Sequence, residues 1–359
     1  MKILAIDIGA GTQDILLYDT ALTNIENCIK MVLPSPSLVF AAQVKDATRR
    51  GFNLFVKGDT VGGGAFSHAL RRHVEAGFRV CMTENAAYTV RNSLEQVKER
   101  GIEIVPDSGP KNFKGETLVL EEVNIDKLRC LLTSFGEIFS DIDFVAIAVQ
   151  DHGVFPAEMT NRLFRINKMK ELLEKNPKPE AFAFMENEIP PYYLRMKSAV
   201  HASKRQLPNA RVLVMDTSPD AILGCQMDPT VEGADPILAV NVGNGHTMAA
   251  IISKGEVTAV LEHHTRLLNS QKMERLLRDF ADGKLSNKTV FEDNGHGMFF
   301  LKQAPSFSKI KKIVVTGPNR KVLADTGLRV HFATPAGDVM MSGPIGLVEA
   351  TKRIFKNEL

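Results

Sequence analysis

Two stretches of this sequence, far apart in the chain, repeat the same local pattern. IDIGAGTQDILLYD begins at Ile6, and VNVGNGHTMAAIIS begins at Val240. Each puts a polar residue near the end of an apolar strand, continues with Gly-x-Gly and a threonine, and returns as a second apolar strand. An internal repeat of this kind predicts two related domains that face a shared cleft.

The pattern around the two copies predicts an α/β fold. Residues 3–8 and 14–19 are predicted to pair as antiparallel strands, and a third strand is expected through MVLPSPS and SLVFAAQV, residues 31–44. From about 53 to 105, short strands alternate with amphipathic helices, which indicates a parallel βαβ insertion. We therefore expect a first domain over residues 1–232 that includes this insertion, and a second over 233–359 that ends in a helix.

The composition is that of an ordinary globular protein. The chain has 359 residues, enough for two domains, and its 44 Lys and Arg nearly balance its 42 Asp and Glu. This balance gives no reason to expect binding to nucleic acid or to a membrane surface. The N-terminus begins a strand without a secretory pattern, and no apolar run approaches the roughly 20 residues of a membrane helix. A cytoplasmic protein is the expectation.

The glycine-rich turns contain groups that can bind an anion and a cation. Glycines at a hairpin tip let the backbone approach a ligand closely, and successive N–H groups there can hold an anion. Asp7 ends an apolar strand where a carboxylate has no packing role, and a hard divalent cation needs such an oxygen. One such turn is more often an ordinary hairpin. Two matching turns favour a phosphate clamp.

On these residues the sequence resembles the actin-like ATPase superfamily, which includes sugar kinases and heat-shock chaperones. In that superfamily two ribonuclease-H-like domains clamp ATP and Mg²⁺. Its first phosphate motif matches Asp7, Gly9, Gly11 and Thr12, with Asp14 beside them. Its second phosphate motif matches Gly243, Asn244, Gly245 and Thr247. Its adenosine motif matches Gly317 and Asn319. The resemblance implies that Asp7 orients hydrated Mg²⁺, that the glycines and threonines hold phosphates, and that Gly317 and Asn319 line the adenosine side.

Two departures from the superfamily pattern bear on chemistry. The second motif usually begins with Asp, and this chain has Asn241 there, which removes one charge from the neighbourhood of the metal. Pro318 replaces the second glycine of the adenosine motif. Phosphate binding is therefore better supported by the sequence than phosphate chemistry.

The buried strand DFVAIAVQ leads into a second group of candidate residues. Gln150, Asp151 and His152 resemble the Gln-x-His-Gly segment of carbohydrate kinases, which implies a place near the transferred phosphate. Asp151 is a candidate general base beside His152. The alternative is that Asp151 caps a loop or helix. Asp216, which ends the strand ARVLVMDT, has the same two alternatives, with capping of the following helix favoured.

Two further motifs each have a functional and a purely structural interpretation. VGGG at 61–64 precedes a helix and could hold an anion there, or could be only a tight turn. His246, His263, His264 and His296 lie in polar surroundings in the second half of the chain. They could converge on a metal or a substrate. No i, i+4 pair fixes two of them on one helix face, so their spacing matches no metal-binding motif.

The chain as a whole also resembles a family that often carries the label of a pyruvate formate-lyase activating enzyme, through DTVGGG, EHHTRLL and GHGMFF. That label implies a Cys-x₃-Cys-x₂-Cys cluster site, whereas the four cysteines here, at 28, 81, 130 and 225, are widely spaced. We expect instead a small-molecule kinase or ATPase that binds ATP and Mg²⁺. The alternatives are a nucleotide-responsive regulatory or assembly protein and an ATP-dependent activator of a metalloenzyme. The expected partners are the nucleotide and an unidentified small molecule or protein, with homodimer formation left open.

Overall fold

The computed structural model describes residues 1–137, 139–156 and 158–356. The last residues of the predicted second domain, 357–359, lie outside the described residues. The strands are β1 (Lys2–Ile8), β2 (Thr12–Asp19), β3 (Ile29–Pro34), β4 (Leu54–Gly58), β5 (Val80–Met82), β6 (Ile102–Ile104), β7 (Glu116–Leu120), β8 (Phe144–Val149), β9 (Ala183–Met185), β10 (Arg211–Met215), β11 (Ile237–Val242), β12 (His246–Ser253), β13 (Glu256–His264), β14 (Gly297–Phe300), β15 (Lys312–Thr316) and β16 (Val330–Phe332).

The α-helices lie between and after these strands. They are α1 (Pro36–Arg50), α2 (Gly64–Glu75), α3 (Glu84–Ala87), α4 (Leu94–Lys98), α5 (Ile125–Thr133), α6 (Asn161–Lys175), α7 (Leu194–Gln206), α8 (Thr217–Cys225), α9 (Ser270–Ala281), α10 (Asn287–Glu292) and α11 (Ser342–Ile354). Among the described residues, no helix has the length and apolar character needed to cross a membrane.

Two six-stranded sheets repeat one topology. The first has the order β3-β2-β1-β8-β10-β9, and the second has the order β14-β13-β12-β11-β15-β16. In each, the opening strand pairs antiparallel with the next strand of its hairpin and parallel with a later strand, β8 in the first sheet and β15 in the second. The expected pair of ribonuclease-H-like domains of the actin-like ATPase fold is confirmed by this duplicated order.

The central strands are buried on both faces, as parallel strands covered by helices are. All six residues of β8 are buried. Along β1 the side chains alternate, with Ile3 and Ala5 in one core and Leu4, Ile6 and Ile8 in the other. The core of Ile3 and Ala5 continues into residues of the second sheet. The two sheets therefore share one apolar layer.

Helices α8 and α11 cross within this shared layer at very short range. A Cβ atom on Gly224 would lie 1.7 Å from the carbonyl oxygen of Ser342, and one on Gly346 would lie 1.9 Å from that of Asp220. Only glycine fits such an approach of two backbones. The C-terminal helix thus packs against α8 and β1, on the first sheet. The predicted boundary between 232 and 233 falls between the last strand of the first sheet and the first strand of the second, and it stays a prediction.

The insertion contains a parallel sheet of order β6-β5-β4-β7, as the alternation of strands and helices predicted. Its fourth strand, β7, lies beyond the predicted end of the block at 105. The segment AAYTVRNSLEQVKERG of this block contains the end of the short helix α3 and, after a break, the short helix α4. Ser93 interrupts the segment, since its side chain accepts a hydrogen bond from the Gln96 N–H and caps α4.

One predicted strand is wrong in its second half. The third strand ends at Pro34, and SLVFAAQV belongs to helix α1. Pro36 occupies the first turn of that helix, where its fixed φ favours a helix start. Ala41, Val44 and Ala47 then recur at helical spacing and are buried.

Candidate functional site

The two glycine-rich hairpin loops meet tip to tip. In the first, the Gly9 N–H donates to the Thr12 carbonyl at 2.9 Å, and in the second the Gly243 N–H donates to the His246 carbonyl at 3.0 Å. A Cβ atom on Gly11 would lie 2.5 Å from Nδ2 of Asn244. The duplicated topology therefore brings two equivalent turns, one from each sheet, into direct contact.

A cleft of about 720 Å³ opens beside these loops. It lies within the range of small-molecule sites. Its lining comes from both hairpin loops, from the VGGG segment and from residues 88–92 and 150–154. The charged lining residues among those described are Arg91, Asp151, Arg195 and Arg266. One of the three guanidinium groups, that of Arg195, is paired with the buried Glu122, and the other two, Arg91 and Arg266, suit an anionic ligand.

Asp7 lies behind the loops, where α8 and α11 begin. Its Oδ1 accepts a hydrogen bond from the Thr217 hydroxyl at 2.6 Å, and its Oδ2 would lie 2.1 Å from a Cβ atom on Gly343. Burial raises the pKa of Asp7 to about 7, against the lowering effect of the Thr217 hydrogen bond. Asp7 is directly opposite Asp14 in the β1–β2 register.

Two further carboxylates beside Asp7 have oxygens without partners. Burial, together with the charge of Asp7, raises the pKa of Asp14 to about 8. Oδ1 of Asp14 and Oδ2 of Asp220 are buried and have no hydrogen-bond partner among the described residues. Unpartnered carboxylate oxygens are the ligands that a hard divalent cation requires. Asp7, Asp14 and Asp220 thus offer oxygen donors of the type that Mg²⁺ prefers, and they lie behind the lining of the cleft.

Other residues predicted to contact the nucleotide make contacts that support the loops. The Thr12 hydroxyl lies 3.5 Å from Oδ2 of Asp14. The Thr247 hydroxyl pairs with that of Thr265 at 3.0 Å, and Asn319 donates from Nδ2 to the Gly243 carbonyl at 3.0 Å. Gly317 has a φ of 95°, and a Cβ atom there would lie 2.6 Å from Oδ1 of Asn241. Their roles toward a nucleotide stay predictions.

Asp151 is held as a backbone cap. Its Oδ1 accepts from the Gly153 N–H at 2.8 Å, and its Oδ2 accepts from the N–H groups of Arg195 and Met196 at 2.8 and 3.1 Å. These contacts match the capping alternative and tie the segment after β8 to the start of α7. The role of Asp151 as a general base stays a prediction that this geometry does not favour.

Three histidines converge on one point of the cleft. Nitrogen atoms of His152, His246 and His296 all lie within 4.8 Å of one another. His264 is next to them, with ring centroids 5.0 Å from His246 and 4.7 Å from His296. His263 points away and lies 3.2 Å, through Nε2, from Oδ2 of Asp293. Three of the four histidines singled out in the second half of the chain are thus close together, and His152 replaces the fourth.

Burial sets the protonation of these rings. It lowers the pKa of His152 well below its usual value, that of His246 to about 3 and that of His264 to about 4. The neighbouring imidazoles and Arg165 act in the same direction on His152 and His246. These three rings are therefore neutral at pH 7.

A buried ionic network lies behind the histidines. Arg165 donates from Nε and Nη2 to Glu262 at 2.8 and 2.9 Å, and from Nη1 and Nη2 to Asp216 at 2.6 and 2.8 Å. Nδ1 of His296 lies 2.9 Å from Oε2 of Glu262. Although burial raises the pKa of Glu262, the charge of Arg165 holds it well below its usual value. Asp216 also caps α8, as predicted.

The VGGG loop forms another wall of the cleft. The Gly62 N–H donates to Oε2 of Glu122 at 2.9 Å, and Nη2 of Arg195 donates to Oε1 of the same carboxylate at 2.6 Å. A Cβ atom on Gly63 would lie 2.4 Å from the Thr89 carbonyl oxygen. Close packing therefore accounts for Gly63, while the adjoining cleft keeps the anion-binding alternative open.

Sequence reasoning did not single out Arg165, Glu262, Arg195 or Glu122. For Glu262 a signal was available, because it is a charged residue inside the apolar strand EVTAVLEHH, where an unpaired carboxylate would be costly. The other three lie in ordinary polar helices or loops, and nothing in their spacing distinguishes them.

Comparisons with known proteins come from a family model and from solved structures. A family model described as "Putative pyruvate format-lyase activating enzyme (DUF1786)" matches residues 61–322. No curated protein matches the chain.

Solved structures resemble the chain at low identity. A Bacteroides thetaiotaomicron protein with an actin-like ATPase fold and unknown function is 10% identical, with 96% of this chain and 95% of that chain covered and a TM-score of 0.34. A ROK family glucokinase from Streptomyces griseus, in complex with glucose and AMPPNP, is 11% identical, with 98% and 99% covered and a TM-score of 0.35. An exopolyphosphatase-like protein is 10% identical at a TM-score of 0.29, with 88% of this chain covered but only 66% of that protein.

Proposed function

The chain belongs to the DUF1786 family, whose model matches residues 61–322, and we propose that it binds ATP with Mg²⁺ between its two glycine-rich loops and acts as a small-molecule kinase or ATPase. The observation that carries the proposal is the contact of the two loops, in which Gly11 of one hairpin lies against Asn244 of the other. Turns from two duplicated sheets that meet beside an arginine-lined cleft are suited to hold a chain of phosphates between them.

The residues around Asp7 would hold the cation. Their unpartnered, buried oxygens, Oδ1 of Asp14 and Oδ2 of Asp220, support this assignment. A bound Mg²⁺ would neutralise phosphate charge and help to orient the phosphates. Asp7 itself would act through water, with the Thr217 hydroxyl fixing the direction of its carboxylate.

The arginines of the cleft would hold the second ligand. Arg195 is fixed by Glu122 and by the Gln150 carbonyl, to which its Nη1 donates at 2.9 Å. Its charge is thus already matched by a buried carboxylate, whereas Arg91 and Arg266 line the cleft without an ion pair among the described residues and suit a carboxylate or phosphate group. We therefore propose an acceptor or effector that carries negative charge.

The activity in the family description is not part of this proposal. It would require cysteines spaced to hold an iron–sulfur cluster, and the cysteines here lie in separate elements: Cys81 in β5, Cys130 in α5 and Cys225 at the end of α8, with Cys28 just before β3. Three of them are buried and one is exposed.

Calorimetric titration with ATP, in the presence and absence of Mg²⁺, tests the proposal. We expect one site in the parent protein and, in Asp7→Asn, a loss of at least about tenfold in affinity that is confined to the Mg²⁺ condition, since one charge near the cation is removed. Asp46→Asn is the matched control, because Asp46 is a surface carboxylate on α1. Absence of ATP binding in the parent protein would refute the proposal. Release of phosphate from ATP would then separate an enzyme from a nucleotide-responsive switch.

A further inference from the structure

We propose that His152, His246 and His296 form a binding site for a divalent transition-metal cation, separate from the Mg²⁺ site and open to the cleft. Their nitrogen atoms lie within 4.8 Å of one another, so a small change in ring orientation would let one ion contact all three. The three residues come from three distant segments: the loop after β8, the start of β12 and the residue before β14. Local chain geometry does not bring them together.

Two of the three rings, those of His152 and His246, have no other partner that would explain the convergence. His296 is buried, whereas His152 and His246 are half-buried at the cleft, and their side chains make no hydrogen bond among the described residues. Polar groups withdrawn from water are normally bonded, because an unmet hydrogen bond costs free energy. A neutral imidazole has one available nitrogen lone pair, and a shared cation would give all three rings a partner for it.

A carboxylate behind the cluster supports the same assignment. Glu262 is fully buried, and its Oε2 lies 2.9 Å from Nδ1 of His296. Histidines that bind metals commonly have a carboxylate at their second nitrogen, which orients the ring and strengthens it as a ligand. Glu262 is itself fixed by two hydrogen bonds from Arg165. The ligand nitrogen of His296 would then be Nε2.

The donor atoms indicate the class of cation. Imidazole nitrogen suits Zn²⁺, Fe²⁺, Co²⁺ or Ni²⁺, whereas Mg²⁺ prefers oxygen ligands such as those around Asp7. Three protein ligands leave a fourth position for water or a substrate oxygen, which is the pattern of catalytic rather than structural sites. His152 and His246 line the cleft, so this fourth position faces the space where an anionic ligand would lie. His264, also in the lining, is the nearest further histidine.

The first test is titration of ZnCl₂ into protein that has been stripped with a chelator, without nucleotide. We expect one equivalent of Zn²⁺ to bind in the parent protein, and a millimolar excess of Mg²⁺ not to displace it. His152→Ala and His296→Ala should abolish this site. Glu262→Gln, which keeps the shape of the side chain but removes its charge toward both His296 and Arg165, should weaken binding by about 10- to 100-fold in protein that keeps the far-UV circular dichroism of the parent. His201→Ala is the control, because His201 is exposed on α7, and it should bind as the parent does.

The second test reports on geometry and guards against misfolding. Co²⁺ bound by three imidazoles and water should give the intense visible absorption of a four-coordinate ion, which His152→Ala should lose while keeping the far-UV circular dichroism of the parent. Should His152→Ala misfold, His152→Gln replaces it. No Zn²⁺ binding by the parent, or equal binding by the parent and all the ligand variants, would overturn the proposal. Because nucleotide is absent, neither result depends on the proposed ATP site.

Discussion

Arg165 of α6 and Glu262 of β13 form a buried ion pair joined by two hydrogen bonds, 2.8 and 2.9 Å long, although 97 positions separate them. Arg165 also holds Asp216 at the end of β10. The guanidinium group therefore links β13 of the second sheet to the residue that follows β10 of the first sheet. Both the histidine cluster and the helix cap at Asp216 depend on this link.

Replacing Arg165 should destabilise the protein strongly. In Arg165→Met the carboxylates of Glu262 and Asp216 remain buried without their cation, which typically costs about 3–5 kcal/mol. Urea unfolding monitored by circular dichroism measures this loss. Lys168→Met, on the same helix but in an exposed pair with Glu171, should cost less than about 1 kcal/mol. Equal losses in the two variants would contradict the importance of the buried network.

The close crossing of α8 and α11 predicts whether a Gly→Ala substitution there stabilises or destabilises the protein. In a helix with free space, Gly→Ala is stabilising by up to about 1 kcal/mol. Gly346→Ala should instead destabilise by about 1–3 kcal/mol, because its Cβ atom would lie 1.9 Å from the Asp220 carbonyl. Thermal unfolding decides the sign, with Glu349→Ala on the same helix as a control for general effects. A raised melting temperature in Gly346→Ala would show that the helices are not this close.

Asp151 can be tested as a cap rather than a base. An amide at this position keeps one acceptor oxygen, whereas the carboxylate accepts three backbone N–H groups with its two oxygens. Asp151→Asn should therefore lose about 1–3 kcal/mol of stability as buried N–H donors are left unpaired. A variant with unchanged unfolding but lost phosphate transfer would restore the general-base hypothesis.

The sequence predicted what is local and repeated. Alternation along β1, the glycine turns and the pattern of the second copy are visible in short windows, so the duplicated sheets could be predicted. SLVFAAQV was misassigned because its apolar run fits a strand as well as a buried helix, and the features that favour the helix, Pro36 and the spacing of Ala41, Val44 and Ala47, extend beyond the run.

The arrangement of the site was less accessible to sequence. His152 lies close to His246 and His296 only because the two sheets pack together, with contacts between residues about 100 positions apart or more. Arg165 and Glu262 are linked in the same non-local way. The sequence does show four histidines in polar surroundings, but it does not show that His263 turns toward Asp293 while His152 takes its place.

His73 should make the stability of the insertion depend on pH. It is buried on α2, where its Nδ1 lies 2.7 Å from the Thr48 hydroxyl and its Nε2 has no partner among the described residues. Burial lowers its pKa in the folded state below the unfolded value of about 6.5. The unfolded chain therefore binds more protons below that pH, so stability is full above about pH 6.5 and falls as the pH is lowered. In His73→Leu the difference in melting temperature between pH 7.5 and pH 5.5 should be smaller than in the parent. An unchanged difference would mean that His73 is not withdrawn from water, and His68→Leu, at a more accessible position on the same helix, serves as the control.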